Sequence, residues 1–456
     1  ERTEDNLDKS LKADGLARED KKALKEKAKT YKKRVVVLAL LLVFGVLAVV
    51  KYHNFAIENV NGIIKAFGGN GRISTFTLLL PLGISFYSFQ SISYVIDVYR
   101  GKVKACNNIF KYALFVSYFP QITQGPIGRY DRLAPQFLAE HKYDLAVIQH
   151  GLQRMAWGLF KKFIIADRAG VVSDLVFNNP GQYHGIYVII GVLAYCAQLY
   201  GDFAGGIDMV MGASEMFGIH LDDNFRQPFF SHSIGEFWRR WHMTLGGWFR
   251  DYLYIPLGGN RVSVLRWCFN MFVVWLLSGL WHGAGWNFAL WGLYFGVFLS
   301  AEKLIERKWK ERSFKIADIS ANNDSNGGNR KNMFLICARN SIEHGYVLLV
   351  VLFSFVIFRV EGVREIKEQF LGLSGCYGNA MTPMAVYETK SYLILLLIAC
   401  AGATPVPAMC VQRLKNTNMW KKSGWLLQSC YILTGLVLAT AFLLGSSVHP
   451  FLYFRF

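Results

Sequence analysis

Residues 267–300 read WCFNMFVVWLLSGLWHGAGWNFALWGLYFGVFLS, 34 positions without one Asp, Glu, Lys or Arg. A helix needs about 20 apolar residues to cross the hydrocarbon core of a bilayer. The run is longer than one membrane helix requires, and Gly283 and Gly285 are where it is expected to divide. One ionisable residue, His282, stands directly before that break.

Similar stretches lie on both sides. Residues 35–50 read VVVLALLLVFGVLAVV and the run extends toward Ile57. Further apolar segments fall at 73–96, 109–128, 145–166, 183–219, 334–358, 391–410 and 425–447. Pro81 and Gly83 interrupt the 73–96 segment. FPQITQGPIG, which closes the 109–128 segment, has the prolines, glycines and polar residues of a broken or re-entrant segment. Such backbone is tolerated at membrane depth only where neighbours satisfy it. The expected fold class is an all-α polytopic membrane protein with about 9–11 membrane segments, re-entrant ones included.

Composition agrees. Of 456 residues 53% are hydrophobic, 15% aromatic and 18% charged. Soluble domains carry about a quarter of their residues as charges. Mean hydropathy is +0.24. The polar stretch 1–34 reads as a cytoplasmic arm, rich in Lys, Ala, Leu and Glu, followed by one membrane domain at 35–456. The chain begins at Glu1, and a preceding segment is expected. The stretch 301–333 is polar and ends in NNDSNGGNRKN, which reads as a flexible loop.

The net charge of +18 would raise nucleic acid as a partner in a soluble protein. Here the Lys and Arg residues flank apolar runs, as the positive-inside rule expects, and no nucleic-acid-binding motif is present. Residues 1–34, 97–106, 301–333 and 411–422 are accordingly expected in the cytoplasm, with the C-terminus outside. The protein is expected in contact with membrane lipid throughout. Eight cysteines form no CxxC pair, and no metal site is expected.

Two histidines stand out. His282 lies in the uncharged run, where an ionisable side chain usually faces an internal cavity. Burial favours the neutral imidazole, which can act as a general base. A core histidine bonded to a backbone carbonyl is the competing reading. His242 lies in EFWRRWHMTLGGWFRDYLYIPLGGNR. There Trp238, Trp241, Leu245, Trp248 and Tyr252 recur at helical spacing, and Gly246 and Gly247 are the expected bend. One reading is an interfacial helix with its aromatic face in lipid. The other puts His242 at the mouth of a tunnel, with Arg239, Arg240 and Arg250 beside Asp251 holding an anionic donor.

FWRRWHMTLGGWFRDYLYIPLGGNR at 237–261 and GLWHGAGWNFALWG at 279–292 resemble the paired histidine motifs of membrane-bound O-acyltransferases. LPLGISFYSFQSISYVIDVYRG at 80–101, FPQITQGPIGRY at 119–130 and the ending FLYFRF are similar to the alginate O-acetyltransferase branch of that family. The resemblance covers roughly residues 50–456. It implies a fold of helices around a central funnel, with His282 as the essential histidine and His242 as the second. Trp281 and Trp286 of the second motif join the arginines as candidate donor- or substrate-binding residues.

The resemblance also implies a bacterial cytoplasmic-membrane enzyme. It would take acetyl from cytoplasmic acetyl-CoA, hold no permanent cofactor, and serve a cell-surface or secreted polysaccharide acceptor. A secreted SGNH-hydrolase-like partner would complete transfer. One motif departs from the branch: it usually reads close to DFSGYSD, where this chain has Asp202-Phe203-Ala204-Gly205-Gly206-Ile207-Asp208. That leaves the polysaccharide open, and Asp202 and Asp208 stand as either structural or functional. Tyr453, in the last six residues, is either part of an interfacial anchor or a phenol that carries the acyl group briefly as an ester. D-alanyl transfer to teichoic acid on the same fold is an alternative. A proton-coupled transporter using the two histidines is another.

Overall fold

A computed structural model describes residues 18–79, 81–180, 182–320, 329–374, 383–444 and 451–452, with backbone alone at 308–320, 329–337, 384, 385, 388 and 389. These residues form sixteen α-helices, and their only β-pairing is an isolated bridge between Phe225 and Trp241. The helices in chain order are α1 Arg18–Ala66, α2 Ile84–Tyr99, α3 Ile109–Val116, α4 Tyr130–Phe137, α5 Leu145–Leu159, α6 Asp167–Asn178, α7 Ile186–Met216 and α8 Ile234–Arg240. They continue with α9 Met243–Phe249, α10 Val264–His282, α11 Trp286–Ser320, α12 Asn329–Arg359, α13 Val363–Leu373, α14 Pro383–Gly402, α15 Val406–Lys415 and α16 Asn418–Leu444.

Among the described residues, six helices are long and apolar enough to cross a membrane, namely α1, α7, α10, α11, α12 and α16. The pair α14–α15, bent by 68°, makes a seventh if it is one span. The nine to eleven segments expected include re-entrant ones, and several apolar stretches do fold as short or interrupted helices. The 73–96 stretch yields the 16-residue α2. The 109–128 stretch stops being helical at Val116. The 145–166 stretch passes from α5 into a π-helical segment, Phe160–Ala166. The long apolar run does divide at Gly283–Gly285, between α10 and α11. The polar stretch from 301 is helical to Ser320, and the polar stretch before residue 35 is helical from Arg18.

The chain forms two compact units, Glu1–Val147 with Ser214–Asp222, and Ile148–Ala213 with Asp223–Phe456. In the first, the apolar side chains of α1 are exposed or partly buried, Leu47 alone being fully buried. Its Asn54 and Asn61 side chains bond the backbone of Phe76 and Ile73, fixing the extended stretch beside it. In the second, an aromatic core gathers α7, α8, α11 and α12 around Tyr195, Phe237, Phe295, Val347 and Phe355.

The second unit also fixes the α10–α11 hairpin. A Cβ on Gly292 would lie 2.2 Å from the Trp275 carbonyl oxygen, and one on Gly279 would lie 2.2 Å from that of Phe288. Only glycine lets the two helices approach so closely. Asn287 donates to the Phe358 carbonyl at 3.0 Å and Tyr294 to that of Val350 at 2.9 Å, tying α11 to α12.

Candidate active site

His242 lies between two short helices. The aromatic stripe around it is helical in period, yet the chain breaks at Trp241–His242, while Gly246 and Gly247 lie inside α9. His242 adopts the left-handed conformation, φ 45° and ψ 52°. Among the described residues only Gln227 shares a positive φ without being glycine. Such backbone costs roughly 1–3 kcal/mol and persists where surrounding structure over-determines it.

That surrounding structure is the segment 224–226. The Phe225–Trp241 bridge is flanked by Arg226 N–H to the Arg240 carbonyl at 2.9 Å and Met243 N–H to the Asn224 carbonyl at 3.0 Å. Asn224 Oδ1 accepts from the Thr244 backbone N–H at 3.0 Å and from its hydroxyl at 2.8 Å. It also faces His242 Nδ1 at 3.3 Å. Sequence reasoning missed Asn224 and Thr244, because an Asn 18 positions upstream carries no mark of this pairing.

The stripe is core, not lipid contact: Trp241, Leu245, Trp248 and Tyr252 are buried. Helix α8 is anchored at its N-terminus, where Ser233 Oγ accepts from Glu236 N–H at 3.0 Å. There the Glu302 carboxylate accepts from the Ile234 and Gly235 N–H groups at 2.8 and 2.9 Å. A carboxylate at a helix N-terminus is favourably placed against the helix dipole.

His242 is 2% exposed. Burial pushes its pKa down to about 3, so the imidazole is neutral. Phe203 stands edge-on to it at 4.7 Å, and Trp281 lies 6.1 Å away, centroid to centroid. Trp281 also touches His282, at 4.9 Å. One indole therefore joins the two histidines.

His282 ends α10 and is partly buried. Trp291 at 5.2 Å and Phe358 at 5.4 Å complete an aromatic enclosure around it. Around this pair several buried polar atoms have no hydrogen-bond partner: His242 Nε2, Asn224 Nδ2 and the indole nitrogens of Trp238 and Trp291. Trp238 and Trp291 are in ring contact at 5.5 Å. Buried polar groups are nearly always paired, and each left unpaired costs roughly 1–3 kcal/mol. Several such atoms about two histidines have the character of a substrate site.

The other expected site residues are more dispersed. Arg239 and Arg250 are exposed, and Arg250 pairs with the neighbouring Asp251 at 2.8 Å. Arg240 is engaged with Glu236 and with the Phe230 carbonyl. Trp281 is in the site; Trp286 is 59% exposed at the start of α11. Tyr453 lies outside the described residues.

Asp202 and Asp208 both form ion pairs. The π-helical segment presents consecutive lysines, and Lys161 pairs with Asp208, which also meets Arg154 at 3.1 Å. Lys162 is buried and reaches Asp202 at 2.6 Å and Asp167 at 2.8 Å. The second oxygen of Asp202 accepts from the Leu452 N–H at 3.0 Å, while Lys162 lies 5.0 Å from the Phe451 ring centroid. A buried ion pair on α7 thus holds the backbone of the residue next to Tyr453.

The chain is 35% identical over 427 residues to the probable alginate O-acetylase AlgI of Pseudomonas putida, covering 90% of this chain and 82% of the relative. It belongs to the membrane-bound O-acyltransferase family. The sequence pattern of that family matches residues 103–323, which include His242 and His282. The peptidoglycan O-acetyltransferase of Helicobacter pylori is 31% identical over 468 residues, 93% of this chain and 83% of the relative. The teichoic acid D-alanyltransferase of Bacillus subtilis is 30% identical over 250 residues, 52% of this chain and 62% of the relative. The protein is a multi-pass membrane O-acyltransferase, which sets the transporter reading aside.

Proposed function

We propose that this O-acyltransferase takes acetyl from cytoplasmic acetyl-CoA and passes it across the bacterial cytoplasmic membrane to O-acetylate a cell-surface or secreted polysaccharide. The relatives named for alginate and peptidoglycan support the acceptor class. The observation that carries the reading is the set of unpartnered buried polar atoms around two histidines joined by Trp281.

The roles divide by environment. A base works best with a pKa near the operating pH. His242, held far below that range, is a weak base but a good neutral acceptor. His282, partly buried at the end of α10, is the general base. It takes the proton of the attacking hydroxyl as that oxygen bonds the thioester carbonyl carbon. The C–S bond then breaks, and the thiolate leaves with the proton returned by the imidazolium. Trp291, whose indole N–H has no partner, donates to the carbonyl oxygen as charge develops on it.

The bent α14–α15 pair supports an outward C-terminus. Counted as one crossing, it and α12 put the basic stretches 301–333 and 411–422 on one side, and α16 then carries the chain to the other. Tyr453 is the relay on that outer side. Its phenol forms an ester with the acyl group and yields it to a secreted SGNH-hydrolase-like partner. Asp202 accepts from the backbone N–H of Leu452, the residue that precedes Tyr453. Tyr453→Phe keeps the ring and removes the nucleophile. Polymer O-acetyl content should collapse in that strain while thiol release from acetyl-CoA persists; wild-type content would eliminate the relay. D-alanyl transfer predicts instead that a D-alanyl thioester is consumed and acetyl-CoA is not.

A further inference from the structure

Asn224 has two ends in opposite states. Oδ1 receives two Thr244 donors, at 3.0 and 2.8 Å, which identifies that atom as the amide oxygen. His242 Nδ1, 3.3 Å from the same oxygen, therefore carries the ring hydrogen, and Nε2 presents a lone pair. At the other end, Asn224 Nδ2 is buried without a partner, as is His242 Nε2. The two residues are 1% and 2% exposed. Two touching side chains thus hold one unsatisfied donor group and one unsatisfied acceptor, with the rings of Phe203 and Trp281 beside the imidazole.

A ligand that satisfies both must accept from Nδ2 and donate to Nε2. A secondary amide does so with adjacent groups, C=O and N–H, and its flat apolar faces suit aromatic neighbours. We propose that Asn224 and His242 form an amide-recognising subsite that holds the pantetheine-type arm of the acyl donor. Such an arm carries a secondary amide two carbons from the sulfur. Asn224 then works from both ends of its amide. Its Oδ1 fixes the tautomer of His242, and its Nδ2 binds the amide carbonyl of the arm. The inference rests on the thioester-donor reading. The same chemistry occurs in the N-acetyl group of an amino-sugar acceptor, and the experiment separates the two sources.

The experiment measures thiol release by the purified full chain from two short donors. S-acetyl-N-acetylcysteamine keeps the amide; the acetate ester of S-acetyl-2-mercaptoethanol replaces only its N–H by oxygen. Wild type should favour the amide by roughly 10-fold in kcat/KM, the order expected for one hydrogen bond to a buried acceptor. Asn224→Asp keeps an oxygen toward Thr244 and His242 but loses the donor. It should raise KM for both donors by a similar factor and retain the preference. Asn224→Ala frees the tautomer and should abolish the preference. Equal use of both donors by wild type overturns the proposal. A wild-type preference for N-acetylated over de-N-acetylated glycan that Asn224→Ala removes, with no preference between the two thioesters, would assign the amide to the acceptor instead. Failure of wild type to release thiol from acetyl-CoA would refute the thioester reading itself, and the subsite with it.

Discussion

His242 and His282 share a neighbour, Trp281, and little else. His242 is buried, held in a left-handed conformation and fixed through Nδ1 by Asn224. His282 is the last residue of α10, partly exposed among three aromatic rings. The first environment makes a permanent neutral acceptor. The second leaves an imidazole that is only partly buried. The proposed division of roles follows from that difference in burial, and it can be tested at each side.

The largest effect belongs to His282. His282→Ala should abolish acyl transfer while the protein remains folded and inserted, because the base itself is worth roughly 10²–10⁴-fold. Polysaccharide O-acetyl content in cells carrying the mutant reads this out. Near-normal content would return His282 to a core role.

The His242 side is sharpened by acid. Its folded pKa of about 3 lies below the ordinary value of 6.5, so protonation favours the unfolded chain. Its contribution is complete above pH 6.5 and falls by roughly 1.4 kcal/mol for each unit below that, down toward pH 3. Acid unfolding in detergent, followed by tryptophan fluorescence, should show this slope, and His242→Gln should flatten it. An unchanged slope in the mutant would mean that burial does not hold His242 neutral.

Trp291→Phe keeps a ring against His282 and removes one N–H. Thiol release should drop by roughly 10-fold in kcat with KM little altered, as for loss of a donor used in the transition state. The smallest effect is expected at the exposed cations. Arg239→Gln or Arg250→Gln should raise KM for acetyl-CoA a few-fold through lost phosphate contacts. A short thioester without phosphates should show no change. Equal losses with both donors would remove these arginines from donor binding.

The sequence showed some of this plainly. An uncharged run broken by Gly283 and Gly285 splits where those residues stand, because a helix cannot be extended cheaply through them and no charge marks another boundary. The motif containing His242 was equally visible, but its geometry was not. The break at Trp241–His242 depends on Asn224 and the Phe225–Trp241 bridge, a tertiary pairing without local signature. The aromatic stripe was ambiguous for a different reason: a helical period is the same whether the face meets lipid or protein. Asp202 shows the limit most clearly. Its partners, Lys162 and the Leu452 backbone, lie 40 and 250 positions away.

The most direct test sets the two histidines side by side in one assay. Thiol release from acetyl-CoA is measured for purified wild type, His282→Ala and His242→Gln, each checked for fold by its near-ultraviolet circular dichroism. The division of roles predicts that His282→Ala loses roughly 10²–10⁴-fold in kcat, whereas His242→Gln keeps most of the chemistry with a raised KM. The reverse ranking, with His242 indispensable and His282→Ala still turning over, would contradict it.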